Sequence, residues 1–390
     1  MTAAQKLICD SKGMVLFSSL LVLSLLMAAG MGAWIAIQSD YRVTANLKQA
    51  TAAFYLAESG IEWSKQQIGQ TAIHPPKPAD QVERFSSGTF SVEFLSSAPV
   101  TPLAAKVVIR STGAVGTSSQ TVEAQITKAY DLADGAIVLR GAEAGVSLSG
   151  SSILVSGFDS NPINGAPVVG AKPRSAISTS SAVQRRQIDA ALPSLQPGSV
   201  IGGENNTPIS QSDLIPSSVI SQLGADLCSA PHAATTVIPA GGTLSLAGET
   251  WGSPSTPQLH CIEGLSGTGD SVIVGGNFSG VGILVVRDAE LIVQGLFRWE
   301  GLIIVTGTSV GFRVVEEENK EIFGAIMINE TGSVAVTTPM ILTLQGAIKV
   351  FYSRSALDRI VSLLPSVTLQ NVYAALPFTI KQNYWRSVNW

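Results

Sequence analysis

"GMVLFSSLLVLSLLMAAGMGAWIAIQ", residues 13–38, contains no charged side chain; Lys12 precedes it and Asp40 follows it. A helix of roughly 20 apolar residues spans the hydrocarbon core of a bilayer, so this stretch is long enough to anchor a chain in a membrane. A cleaved secretory signal has a shorter apolar core that ends at a small-residue cut site. Ala28, Ala29, Gly30 and Gly32 offer such a site, but the run continues through Trp34, Ile35 and Ile37. The stretch therefore reads as a helix that is kept.

The helical signal does not stop there. The first proline of the chain is Pro75. Before it, Val43, Leu47, Ala50, Phe54, Ala57, Ile61 and Ile68 recur at helical spacing, with Lys48, Gln49, Glu58, Glu62 and Lys65 between them. One continuous helix is expected over residues 14–70, about 80 Å long. Residues 14–37 suit lipid or an apolar bundle, and the second half suits packing on a soluble domain. "HPPKPADQ", residues 74–81, ends the helix, because proline cannot donate to the ladder and clashes with the preceding turn.

"SKGMVLFSSLLVLSLL", residues 11–26, resembles the start of type IV pilins and their secretion-system relatives: a short polar leader with lysines, a closing glycine, then an apolar helix at once. "ATAAFYLAESGIEWS", residues 50–64, is similar to the matching region of PilX-type minor pilins. The resemblance implies a leader over 1–13, cut after Gly13 by a prepilin peptidase, with Met14 as the methylated new terminus. It implies an assembly helix that includes Ser18, Phe54 and Glu58. The implied partners are other pilin and minor pilin subunits, the peptidase and the inner membrane. The chain would cross that membrane once before assembly and then stand on the pilus or cell surface, its bulk periplasmic or extracellular.

One departure bears on the role. Major pilins carry glutamate at the fifth mature position, and this chain has Ser18 there. A buried carboxylate without a partner is costly. Its absence points away from a repeated shaft subunit and toward a low-copy subunit that initiates assembly at a filament tip. Met14 stands where Phe is usual. The alternative is a membrane-anchored surface adhesin, or a carbohydrate-binding β-solenoid, outside any filament.

After the prolines come short alternating runs: "GTFSVEFL" (88–95), "AKVVIRSTGAVG" (105–116) and "QTVEAQITKAY" (120–130). They predict a small antiparallel module over 71–130 packed on the helix. From residue 131 the pattern changes. "GILVV", "GLIIV", "GAIMI" and "GAIKV" begin at Gly282, Gly301, Gly324 and Gly346, spaced 19, 23 and 22 residues apart. Second runs lie between them: "AELIVQG" (289–295), "SVGFRVV" (309–315) and "GSVAVTT" (332–338). This period suggests coils of a parallel β-helix over 131–365, with a glycine at each corner. A β-sandwich built of hairpins is the rival. Residues 171–260 read as long loops with a short helix near 182–192. Residues 353–365 read as a helix, started by Ser353 or Ser355, that caps the open end of the solenoid. Residues 366–390 read as a tail. The fold class is thus α+β: a long helix, a small antiparallel sheet, then a mostly-β region.

Charged residues make up 13% of the 390, net charge is −4 and no basic stripe appears, so no nucleic-acid partner is expected. Without Cys9 in the leader, Cys228 and Cys261 remain. They pair in an exported protein or stand as two buried thiols. No metal and no cofactor is expected. His74, His232 and His260 show no metal-ligand spacing, and His260 beside Cys261 points to the opposite face of a strand. "GTGD" (267–270) reads as a turn between coils, and "GFDSNPING" (157–165) as turn chemistry. "EEEN" (316–319) has the carboxylates for Ca²⁺ but reads as a solvated corner. A carbohydrate-active site would need Asp288, Glu290, Arg298, Glu300 and Arg313 on one face, and nothing in the sequence puts them there. The chain is expected not to be an enzyme.

Overall fold

Helix α1 (Ser11–Gln70) runs unbroken. It belongs to a computed structural model that describes residues 11–388, apart from 72–73, 77, 86, 102, 142–144, 151, 204–206, 333–339, 365–375 and 377. Residues 1–10 of the expected leader and 333–338 of the expected run at 332–338 lie outside the described residues. From Met14 to Lys48 every side chain on α1 is exposed, a projection of about 50 Å. The packed stripe is Ala53, Ala57, Ile61, Ser64 and Ile68. Val43 and Leu47, expected on that stripe, are 62% and 67% exposed. The reason is reach: the turn at Gly116 meets Gln49, and the sheet extends no further toward the N-terminus.

Under the stripe lie β1 (Gln81–Phe85), β2 (Gly88–Thr101), β3 (Ala104–Val115) and β4 (Ser118–Tyr130), all antiparallel. Val107, Ile109, Val122, Ala124 and Ile126 form one core with the helix. Small residues allow a close approach: a Cβ on Gly113 would sit 2.0 Å from the Ala53 carbonyl oxygen. At the far end of α1, Lys128 donates to the carbonyls of Ile68 (2.8 Å), Gly69 (3.1 Å) and Thr71 (2.7 Å). These are orphan acceptors of a helix terminus, and a cation there also meets the negative end of the helix dipole.

The chain then leaves this module. It forms β5 (Gly135–Arg140), β6 (Gly145–Leu148), β7 (Ser152–Ser156) and β8 (Ser175–Thr179), then helix α2 (Ala182–Ala191). Next come β9 (Val200–Ile201), β10 (Ile209–Gln211) and helix α3 (Ser217–Cys228). After α3 it forms β11 (Ala234–Val237), β12 (Thr243–Ala247), β13 (Thr250–Trp251), β14 (Gln258–Glu263), β15 (Ser271–Gly275) and β16 (Phe278–Arg287). The run continues with β17 (Glu290–Val293), β18 (Phe297–Thr308), β19 (Gly311–Val314), β20 (Lys320–Gly332), β21 (Met340–Leu344) and β22 (Ala347–Tyr352). Helix α4 (Arg354–Ile360) and β23 (Phe378–Val388) complete the described chain.

From β14 to β22 the chain alternates between a twelve-stranded and a six-stranded sheet. Neighbouring strands in both sheets are parallel, from β16 beside β18 to β19 beside β21, so they are not the hairpins of a sandwich. Each strand lies beside its counterpart one circuit later, and a single apolar core fills the space between the sheets. The glycines are not at strand starts, as expected, but inside β16, β18 and β20, where Gly282, Gly301 and Gly324 stand in register. Gly301 has φ 134°, and a Cβ there would lie 2.0 Å from the Gly282 carbonyl oxygen. The long strands bend at this column, and only glycine fits the bend.

The winding order differs from the sequence order. β5, β6 and β7 pair with β20, β21 and β22, so the first circuit stacks on the last. From β10, at one end of the stack, α3 crosses β20, β18, β16 and β14 to reach β11 at the other. Residues 171–260, expected as loops, thus hold a crossover helix. Asn329 on β20 donates to the Ser217 carbonyl and the Ser221 hydroxyl at its start, and Cys228 at its end is bonded to Cys261 on β14.

Two further expectations change. Helix α4, capped at Ser353 as expected, lies across β16, β18 and β20 and covers no end. Helix α2 instead packs on β6, β8 and β10, and Gln187 accepts from the backbone N–H of Val146 on edge strand β6. That bond satisfies a donor a bare sheet edge would leave open. The tail expected at 366–390 contains β23, which pairs antiparallel with β4. The parallel stack is therefore an insertion between the fourth and fifth strands of the antiparallel module.

Candidate functional surfaces

The first surface is the free half of α1. By length and composition it can cross a membrane, with a mean hydropathy of 2.3 in its most apolar window. Gly13 lies in its first turn, and Met14 is 66% exposed. Ser18 donates to the Val15 carbonyl at 3.0 Å, so its hydroxyl is satisfied within the helix, as a lipid or apolar bundle requires. Phe54 and Glu58 lie apart from these residues, on the packed half. Phe54 meets Trp385 of β23 edge-on at 5.7 Å. Glu58 lines a groove of about 450 Å³ with Ile61, Glu62, Gln382 and Trp385.

The second surface is the junction of the two modules, which sequence reasoning missed. Asp131 follows β4 where the chain enters the stack, and it is 2% exposed. Arg174 and Arg354 both pair with it, Arg354 at 2.8 Å. Burial pushes its carboxyl above the usual range, and the two guanidiniums pull it back. The backbone N–H of Arg354 donates to Asp159 Oδ1 at 2.8 Å, and the Ser353 hydroxyl donates to the Ser160 carbonyl at 2.6 Å. Beside this clamp opens a cleft of about 570 Å³ bounded by Gly170–Lys172 and by Phe378–Lys381. The participants lie far apart in sequence, so no local motif could have announced them.

The residues weighed for chemistry are engaged structurally. Glu290 pairs with Arg313 on the neighbouring strand at 2.6 Å, Arg298 with Glu321 at 2.9 Å, and Glu300 with Arg359 at 2.8 Å. Asp288 accepts from the Thr308 N–H and Asp270 of "GTGD" from the Leu265 N–H, both capping corner turns. At "EEEN", the Lys320 ammonium donates to the carbonyls of Glu316 and Glu318, so this corner already holds a cation. Asn161 and Asn164 accept from backbone N–H groups two residues ahead, as turn chemistry predicts. His260 stacks on Trp251 with centroids 3.8 Å apart, and burial lowers its pKa. Cys261 faces the core at 0% exposure.

No known family profile matches the chain, and no curated protein does. Among solved structures, the competence-associated pilin ComZ from Thermus thermophilus aligns over 87% of this chain and 98% of that chain, at 13% identity and a TM-score of 0.27. A superposition this loose assigns neither fold nor role.

Proposed function

We propose that this chain is a PilX-like minor pilin of a type IV pilus, or a related pseudopilin. It takes part in assembly at the filament tip and carries an outward-facing β domain. One observation supports this best: α1 is a single helix that is exposed and uncharged from Met14 to Ser39, continues exposed through Asp40, Arg42 and Lys48, and then packs its last turns on an antiparallel sheet. Such a helix can rest in the inner membrane and then move into an apolar bundle without refolding its soluble half. In this reading the prepilin peptidase cuts after Gly13, and Met14 becomes the methylated terminus. The inserted stack is read as a β-helix, because its parallel strands return in register circuit after circuit. Its role is display rather than catalysis, in keeping with ion pairs that run between neighbouring circuits.

The test is the N-terminal peptide mass of the protein from its native membrane, with the peptidase present and deleted. A start at Met14, seen only with the peptidase, is the expected result. A start at Met1 in both strains, or a cut near Ala33, would overturn the reading and leave an anchored or exported surface protein.

A further inference from the structure

Tyr352 closes β22 two residues before α4 begins. Its ring belongs to the apolar core of the stack, and the residue is 2% exposed. It nevertheless lines the junction cleft, so the part of it that reaches the cleft is the polar tip. The charges its phenol feels, Asp131, Arg174, Arg354 and Asp159, line the same cleft. Among the described residues, nothing hydrogen-bonds to that hydroxyl. Burial pushes its pKa well above the usual range, so it stays protonated, one donor and one acceptor on the same atom. A buried hydroxyl is costly to leave unpaired, and this one faces a cavity of about 570 Å³, within the size range of small-molecule sites.

The rest of the lining defines the ligand. The inner charges already satisfy one another: Asp131 holds both Arg174 and Arg354. Asp159 Oδ1 accepts from the Arg354 N–H, and among the described residues nothing donates to its Oδ2. An anionic ligand would meet the half-buried Asp159, and a cationic one would meet the two arginines, so an uncharged ligand avoids both repulsions. Lys172 and Lys381 are exposed and stand at the rim. One wall is apolar. Phe378 is 43% exposed there, its ring held by the Lys128 ammonium 4.5 Å from the centroid, and Ile380 lies two residues on. A sugar ring combines hydroxyls that donate and accept with an apolar C–H face. We propose that the junction cleft binds an uncharged saccharide, with one hydroxyl paired to the Tyr352 phenol, another donating to Asp159, and the C–H face against Phe378 and Ile380. The proposal does not rest on the filament reading, because the cleft is built by the sheet and the stack alone.

The test uses the full chain in micelles of an amine-oxide detergent, whose headgroup carries no sugar. The neutral probes are maltose, cellobiose, lactose and N,N′-diacetylchitobiose. The charged ones are digalacturonate and deacetylated chitobiose. Binding is titrated by saturation-transfer NMR. At least one neutral disaccharide is expected to bind more tightly than either charged probe, with an affinity that added salt leaves unchanged. Tyr352→Phe removes only the hydroxyl and is expected to weaken that binding about threefold to tenfold at an unchanged melting temperature. Ala171→Trp, on the opposite wall, is expected to fill the cleft and abolish binding while the fold is kept. Failure of all four neutral probes, tighter binding of a charged one, or binding that survives both substitutions would overturn the proposal.

Discussion

Lys128 is where one side chain settles how a long helix ends. It is 1% exposed, on β4, and donates to three carbonyls at the end of α1. Lys128→Met keeps much of the volume but leaves those acceptors unpaired, and is expected to cost about 1–3 kcal/mol. Thermal unfolding of the folded module measures it. Burial also lowers the lysine pKa to about 8 from its ordinary 10.5. Between those values the unfolded chain keeps the proton that the folded chain has shed, so this group makes stability rise with pH across that window. Lys128→Met is expected to remove that rise, as paired melting curves at pH 8 and pH 10 would show. Nothing around residue 128 in the sequence announces the role, because its partners lie 57–60 positions away.

At the scale of the element, α3 decides whether the stack holds together. It joins the two ends of the winding, fastened by Asn329 at its start and the Cys228–Cys261 bond at its end. A bridge across 33 residues stabilises by roughly 3–4 kcal/mol in the chain-entropy account. C228S is therefore expected to lower the melting temperature of the stack, whereas adding reductant to C228S is expected to do nothing further. Intact and reduced wild type, melted side by side, provide the control. The apolar face of α3, Ile220, Leu223 and Leu227, was present in the sequence but lay in a span rich in Pro, Ser and Gly. Its start at Pro216 has no side-chain cap to signal it. The helix 354–360 was easier to read because Ser353 caps it.

Over the whole molecule, the chain closes its first module with its last strand. Glu123 on β4 sits between Arg110 on β3 and Arg386 on β23. Arg386 first and Arg110 second hold its carboxyl below the usual range. This contribution is complete above the ordinary carboxylate pKa and is lost as pH falls through the lowered one. Deleting residues 376–390 is expected to speed hydrogen exchange in β4 and in residues 50–70 of α1, while the core of the stack, β16 and β18, keeps its protection. Acidifying the intact chain is expected to loosen β23 before the stack. Exchange mapped by mass spectrometry distinguishes these from global unfolding.

Local order and period belonged to the sequence. An uncharged apolar run followed by a helical stripe reads as one long helix, since 3.6-residue spacing and the absence of proline act within a few turns. Strand alternation and the recurring glycines announce sheets and a repeating winding in the same way. Only the tertiary structure decided that the helix stays bare to Lys48, that β5 stacks on β20, and that residues 378–388 complete the sheet begun at residue 81. Hydrogen-bonded edges have no fixed sequence separation, so pairing partners are set by which surfaces remain open once the core has closed. The junction cleft follows from that closure.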